Sequence, residues 1–167
     1  MALSPFVKYQ GKWYRRSRLW GAKGIIGPAG RFTWAEYACS DGAAVPTALR
    51  SNAALNARNL NNLRRAVAKR NGVSPAQVGI KLNSGYRTPS YNHSIHGATN
   101  SQHLYARASD VQVFVKGKKV APSTIAAIAA KDVPTFAKGG IGWYDKAHGD
   151  FTHLDVRPNG PARWKNG

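Results

Sequence analysis

Acidic residues are scarce in this sequence of 167 residues. Seven Asp and Glu stand against 25 Lys and Arg, so the formal net charge is 25 − 7 = +18. Such an excess favours a polyanionic partner, which can be nucleic acid, an anionic membrane or a bacterial envelope rich in phosphate and carboxylate. Charge alone does not choose among these three.

Cysteine is scarcer still, since Cys39 is the only one. No intramolecular disulfide can form, so the fold needs no oxidising compartment. We expect Cys39 to be a small buried side chain. The alternative, a nucleophilic cysteine, requires a histidine close to it in the fold.

Long hydrophobic runs are absent as well. No stretch reaches the roughly 18 apolar residues that a membrane span needs. Residues 1–14 lack the apolar centre of a secretory signal. We therefore expect no transmembrane segment and synthesis in the cytoplasm without a signal peptide. A target outside the cell would then require release by another agent.

The composition is otherwise that of a folded protein, with 43% hydrophobic residues and 17 Phe, Trp and Tyr. We expect one globular domain over residues 31–167, preceded by a basic, aromatic N-terminal arm over residues 1–30. No helical or strand period is sustained in that arm. It can adhere to a polyanion, or it can wrap the domain and bury its tryptophans, and the sequence favours neither. The residues that define it are Lys8, Lys12, Trp13, Tyr14, Arg15, Arg16, Arg18, Trp20 and Lys23.

Periodicity predicts an α+β fold in which helices flank a small antiparallel sheet. The strongest signal is a helix from Thr47 to Arg70, with an apolar stripe and an Asn71-Gly72 stop. Its basic residues Arg58, Arg64, Arg65, Lys69 and Arg70 are expected on the solvent side. Shorter helices are expected from Ser74-Pro75, over 89–96 and over 123–131. Strands are expected over 79–83, 110–115, 140–144 and 151–156, and a hairpin turn is expected at Gly117.

Two spacings carry chemistry. Asp110 follows His103 by seven residues, and His153 follows Asp150 by three. Two histidines and a carboxylate can hold a zinc ion with one position left open, and a second carboxylate can serve as general base. Asp155 can fix the tautomer of a ligand histidine. The alternative is that His103 is an ordinary loop histidine and that Asp110 simply begins a strand.

Several ordered motifs surround these residues, and together they resemble the zinc D-Ala-D-Ala carboxypeptidase and endopeptidase family. Its members cut peptidoglycan stem peptides. The resemblance covers residues 31–164 and implies the DD-peptidase (hedgehog-type) fold. The residues that carry it are the segments 32–42, 84–89, 101–104, 108–110, 151–157 and 162–164, with Asn92, Gly97 and Ala98.

The resemblance implies a role for each matching residue. One zinc ion would be held by His103, Asp110 and His153, with Asp150 as the general base. Arg87 would polarise the scissile carbonyl or hold substrate, and its alternative is an ion pair that fixes the turn. The remaining matches are His148 near the developing oxyanion, for which an exposed loop histidine is the alternative, and Ser101 as a substrate contact. His93 and His96 match no family role and are expected on a helix surface.

The sequence departs from the family pattern at Ala106, where glycine is usual three residues after the first ligand. If a positive φ is required there, alanine is disfavoured and the loop is expected to relax.

These observations predict zinc-dependent hydrolysis of an amide bond in peptidoglycan stem or cross-link peptides, by a monomeric DD-carboxypeptidase or endopeptidase. Without a signal peptide, it would be a bacteriolytic endolysin that reaches the anionic bacterial cell wall at lysis. The alternative is a nucleic-acid or virion-associated binding protein that retains the peptidase fold, although nucleic acid is not the expected partner.

Overall fold

A six-stranded sheet organises the part of the chain that the structure, a computed structural model, describes: residues 6–9, 12–15 and 32–166. Its strands lie in the order β3-β4-β7-β6-β8, and β5 pairs with the outer part of β4. All neighbours are antiparallel except β6 and β8. The strands are β3 (Val78–Ser84), β4 (Ala108–Val115), β5 (Lys118–Lys119), β6 (Gly140–Tyr144), β7 (Phe151–Asp155) and β8 (Ala162–Lys165).

Five helices accompany the sheet within residues 32–166. The longest, α2 (Arg50–Arg70), packs its buried stripe against the sheet and against α4 (Pro122–Asp132). Alternate side chains along the strands point to this side and form the other half of the core. Leu154 and its cross-strand neighbour Ile141 face this core, whereas Asp110 and His153 face the opposite side. The helices are α1 (Trp34–Tyr37), α2 (Arg50–Arg70), α3 (Pro89–Ser94), α4 (Pro122–Asp132) and α5 (Pro134–Lys138).

The predicted long helix is confirmed. A 3₁₀ turn over Thr47–Leu49 leads into α2, whose C-cap is Asn71, and Gly72 follows with φ +60°. The prediction that all its basic residues face solvent was partly wrong, because Arg64 is buried with 6% of its surface exposed. Arg64 donates from Nη1 to the carbonyl oxygen of Val78 at 2.7 Å. A long side chain can bury its stem and still satisfy its charged head, so an arginine is compatible with the inner stripe.

The remaining predicted elements are confirmed, with small shifts at their ends. Ser74 caps a 3₁₀ turn at Pro75–Gln77 rather than an α-helix. The hairpin between β4 and β5 turns at Lys116 and Gly117, both with positive φ (48° and 79°), as tight hairpin turns require. This turn places Lys119 beside Phe114 on the sheet.

Three elements of residues 32–166 were missed: the four-residue helix α1, α5 and β8. Helix α5 has only five residues, too few to show a period. Strand β8 pairs in parallel with β6, which makes the sheet mixed rather than wholly antiparallel. Parallel pairing joins segments that are distant in sequence, so no hairpin turn in the sequence predicts it.

In the N-terminal arm, β1 (Phe6–Tyr9) and β2 (Lys12–Arg15) pair antiparallel, although no strand period is sustained in its sequence. Four-residue strands are too short for their alternation to stand out. What the arm's cationic and aromatic side chains contact lies outside the described residues.

Cys39 is buried, as expected, with 4% of its surface exposed, and its sulfur accepts the Thr88 N–H at 3.5 Å. Among the residues described, no helix combines the length and apolar character needed to cross a membrane.

Candidate metal centre

Three side chains predicted to bind metal come together on the sheet face opposite the core. His103 lies in a 3₁₀ turn over Gln102–Tyr105, Asp110 lies in β4 and His153 lies in β7. Asp110 and His153 are direct cross-strand partners, so the strand register alone brings them together. All three are buried.

The distances among their donor atoms match a zinc site. His103 Nε2 lies 3.3 Å from both His153 Nδ1 and Asp110 Oδ1, and His153 Nδ1 lies 2.9 Å from Asp110 Oδ1. Tetrahedral zinc with ligand bonds near 2.0–2.1 Å separates its ligand atoms by about 3.3 Å. The arrangement can therefore hold a metal ion through two imidazole nitrogens and one carboxylate oxygen.

Hydrogen bonds to the outer nitrogens orient both rings. His103 Nδ1 donates to the carbonyl oxygen of Gly85 at 2.5 Å, and His153 Nε2 donates to Asp155 Oδ2 at 3.1 Å. Because both partners only accept, these nitrogens carry the protons, which leaves the inner nitrogens, His103 Nε2 and His153 Nδ1, for a metal.

Asp155 is the fully buried anchor of this arrangement, as its predicted supporting role requires. Besides His153, its carboxylate accepts from the Gly140 N–H at 2.9 Å and from the Arg157 guanidinium at 2.6 Å. Although burial opposes ionisation, the hydrogen bonds from His153 and Arg157 hold the pKa of Asp155 below its usual value. Asp155 is therefore a fixed anion behind a ligand histidine.

Arg87 and Ser84 support the third ligand. Arg87 Nη2 donates to Asp110 Oδ2 at 2.5 Å, and its Nε donates to Ser84 Oγ at 2.9 Å. The two oxygens of Asp110 thus have separate partners, since Oδ1 faces the histidines and Oδ2 faces Arg87. The ion pair expected as the alternative role of Arg87 is present, and its acidic partner is Asp110, one of the three ligand candidates.

The charges of the centre suit a cation. Burial lowers the pKa of His103, which keeps its imidazole neutral at neutral pH. Burial also opposes protonation of His153, but hydrogen bonds with Asp110 and Asp155 outweigh it and raise the pKa of His153. Burial works against ionisation of Asp110 too, yet the two histidines hold the pKa of Asp110 far below its usual value. Asp110 is therefore an anion beside two nitrogen donors.

Ala106 adopts the left-handed conformation that disfavours alanine, with φ +52°, and is fully buried. Its N–H donates to the His103 carbonyl oxygen at 3.1 Å. A left-handed alanine costs roughly 1–2 kcal/mol, which the surrounding packing offsets. The turn that carries His103 thus accommodates alanine at a position with positive φ.

A tryptophan covers His153 from β8. The rings of Trp164 and His153 lie 5.0 Å apart, and the Trp164 indole donates to the Tyr144 hydroxyl at 2.9 Å. Gly142 makes room for the indole, because a Cβ at this position would lie 2.3 Å from it. Trp164 matched the family pattern, but its contact with the histidine depends on the missed parallel pairing of β6 and β8.

Asp150, the predicted base, lies immediately before β7 and outside the group of three ligands. Its backbone is left-handed with φ +55°, and its carbonyl oxygen accepts from Gln112 Nε2 at 3.1 Å. Its carboxylate pairs with Lys119 Nζ at 2.5 Å and is a quarter exposed. The pairing with Lys119 was not predicted from the sequence, because the contact joins residues 31 apart.

The other predicted site residues lie on the surface or in turns. His148 is half exposed and its Nδ1 lies 2.6 Å from Asp145 Oδ1. Ser101 caps the turn that carries His103, accepting the His103 N–H at 3.4 Å. The catalytic role of His148 and the substrate contact of Ser101 stay predictions. His93 and His96 are exposed, as expected, although His96 lies just beyond the end of α3.

A buried asparagine, which the sequence analysis overlooked, ties the centre to α2. Asn56 Oδ1 accepts from Tyr37 and Ser109, and its Nδ2 donates to the carbonyl oxygens of Arg107 and Leu154, all within 3.1 Å. Ser109 and Leu154 are the chain neighbours of two ligands. The burial of Asn56 could have been predicted from the sequence, because residue 56 falls on the apolar stripe of the predicted helix between Ala53 and Leu60.

Comparison with known proteins agrees with this geometry. A search of curated proteins found no match. The family model described as Peptidase M15 matches residues 30–155, which include all three ligand candidates and Asp150. The match spans most of the chain, and the mixed α+β fold is consistent with it. The chain therefore belongs to the Peptidase M15 family of D-Ala-D-Ala carboxypeptidase-type metallopeptidases.

Proposed function

We propose that the chain is a zinc peptidase that hydrolyses an amide bond in peptidoglycan stem or cross-link peptides, as a DD-carboxypeptidase or endopeptidase. The observation that carries the proposal is the meeting of His103 Nε2, Asp110 Oδ1 and His153 Nδ1 within 3.3 Å of one another. Family membership supports the peptide substrate.

His103, Asp110 and His153 would hold one zinc ion. When bound, such an ion supplies Lewis-acid activation of a water molecule and of the scissile carbonyl. The protein's own contribution is a rigid donor set, because Gly85, Asp155 and Arg87 fix the three ligands from behind.

Asp150 would act as general base. In the proposed reaction its carboxylate accepts a proton from the attacking water and returns it to the nitrogen of the leaving amine. The ion pair with Lys119 fixes the position of the carboxylate immediately before β7. The Gln112 hydrogen bond holds the backbone of Asp150 in its left-handed conformation.

Arg87 would contact the substrate in addition to holding Asp110. Its Nε and Nη2 are engaged by Ser84 and Asp110, and Nη1 makes no hydrogen bond within residues 32–166. A fixed cation near developing negative charge lowers the barrier to amide hydrolysis. His148 would add a second donor near the oxyanion, and Ser101 would contact the peptide.

The net charge of +18 would concentrate the enzyme on an anionic bacterial wall. We further propose that it is a monomeric, bacteriolytic endolysin that reaches the wall when the host cell lyses. The same charge and the Trp- and Arg-rich residues 1–30 are the features that favour the alternative nucleic-acid-binding function.

The test combines zinc stoichiometry with release of amino groups from purified peptidoglycan. We expect one zinc per chain, activity lost on chelation and restored by zinc, and loss of both metal and activity in His103→Ala. The exposed His93→Ala is the matched control and should keep both. Asp150→Ala should retain zinc and lose activity.

A chain that binds no zinc would overturn the mechanism, and full activity of Asp150→Ala would overturn the base assignment. Binding to DNA that is steeply salt-dependent, without hydrolysis of the wall, would instead favour the nucleic-acid function.

A further inference from the structure

A groove of about 630 Å³ opens at the end of the sheet where β6 stops and β7 begins. Its walls come from β5, the start of α4 and the loop between β6 and β7. None of the three ligand candidates lines it, but Asp150 does. The groove therefore adjoins the proposed reaction centre through the proposed base.

Lysines dominate the charge of this groove, with Lys119, Lys146 and Lys165 on its walls. Its two acids already have partners within the protein. Asp150 pairs with Lys119, and Asp145 accepts from His148, the Ala147 N–H and Asn166. Lys146 and Lys165 have no ion-pair partner within residues 32–166, so the groove keeps an unbalanced positive charge.

Aromatic and aliphatic side chains line the groove together with the lysines. Trp143 and Tyr144 at the end of β6 line it, and Tyr144 stacks on Phe151 with ring centroids 4.2 Å apart. Pro122 at the start of α4 lines it as well. A groove that combines apolar lining with two cations suits a ligand with an aliphatic stem and an anionic end.

We infer that this groove binds a carboxylate-bearing side chain of the substrate peptide, with Lys146 and Lys165 as its cationic partners. The inference rests on the proposed function, because a peptide whose scissile amide lies beside Asp150 would continue along the wall that Asp150 shares with the groove. Acidic peptides would then be preferred over their amidated forms. Two exposed ion pairs support a preference of about three- to tenfold.

The test compares two synthetic peptides that differ only in a glutamate or a glutamine at one residue. Binding is measured by calorimetry on the full chain with chelator present, so that no turnover is required. We expect the wild-type protein to bind the glutamate peptide about three- to tenfold more tightly at low salt. The double variant Lys146→Gln/Lys165→Gln should bind both peptides equally.

The matched control is Lys131→Gln/Lys138→Gln, which removes the same charge from exposed positions outside the groove and should keep the preference. Equal binding of the two peptides by the wild-type protein would overturn the inference, as would a preference that survives in the groove variant. Inorganic phosphate that binds with the same lysine dependence, without the glutamate peptide binding, would overturn the carboxylate assignment.

Because binding is measured without metal, the two proposals fail separately. Selective binding of the glutamate peptide by a protein that never hydrolyses peptidoglycan would contradict the proposed function alone.

Discussion

Replacing Asn56 by alanine tests whether one buried side chain holds the metal centre against α2. Asn56 is fully buried and makes four hydrogen bonds, two through each end of its amide. Alanine would leave the hydroxyls of Tyr37 and Ser109 without their acceptor. It would also remove a donor from two carbonyl oxygens, although that of Arg107 keeps the Val156 N–H at 3.0 Å.

The magnitude follows from these partners. A buried polar group left without a partner costs about 1–3 kcal/mol, and a group that keeps another partner costs less. The free energy of unfolding should therefore fall by about 3–5 kcal/mol in Asn56→Ala, a large part of the stability of a domain this size. Tyr37→Phe and Ser109→Ala each remove one donor and should cost about 1–1.5 kcal/mol.

Urea unfolding followed by circular dichroism measures these differences. The control is Asn62→Ala on the exposed side of the same helix, which should change stability by no more than about 0.5 kcal/mol. A loss below about 1 kcal/mol in Asn56→Ala, or one equal to that of the control, would refute the reasoning.

Three further outcomes are expected. Lys119→Met should lower kcat on peptidoglycan by about tenfold or more without loss of zinc, because it removes the ion-pair partner of the Asp150 carboxylate. The control Lys118→Met on the same hairpin should leave kcat unchanged. Equal effects of the two substitutions would contradict this prediction. Gly142→Ala should destabilise the protein by about 1–3 kcal/mol, since its Cβ displaces the indole on β8, and unchanged tryptophan fluorescence would argue against that displacement. The pKa of Asp132 is lowered mainly by the hydrogen bond from Arg70. The stabilising contribution of Asp132 is therefore present above its usual pKa and is lost as pH falls through the lowered value. The difference in unfolding free energy between wild type and Asp132→Asn, measured by urea unfolding, should shrink at low pH rather than persist.

Local pattern was enough for most of the fold. The period of α2, the Asn71-Gly72 stop and the turn at Gly117 depend on residues close in sequence, and all three are confirmed. The parallel pairing of β8 was not accessible in this way, because its partner β6 is joined to it through β7 rather than by a turn. Burial of Arg64 was likewise not predictable, since the carbonyl oxygen of Val78 that accepts its hydrogen bond lies 14 residues away in sequence.

For the site, the sequence by itself determined which residue types are present and in what order. Their spacing alone left an alternative open, and the resemblance to the zinc peptidase family was what indicated His103, Asp110 and His153 as a metal group. The tertiary structure decided which atoms meet: strand register brings Asp110 to His153, and Gly85 and Asp155 select the nitrogens that remain for a metal. It also decided the pairing of Lys119 with Asp150. Register and tautomer depend on contacts between distant segments, and short-range spacing carries no information about those contacts.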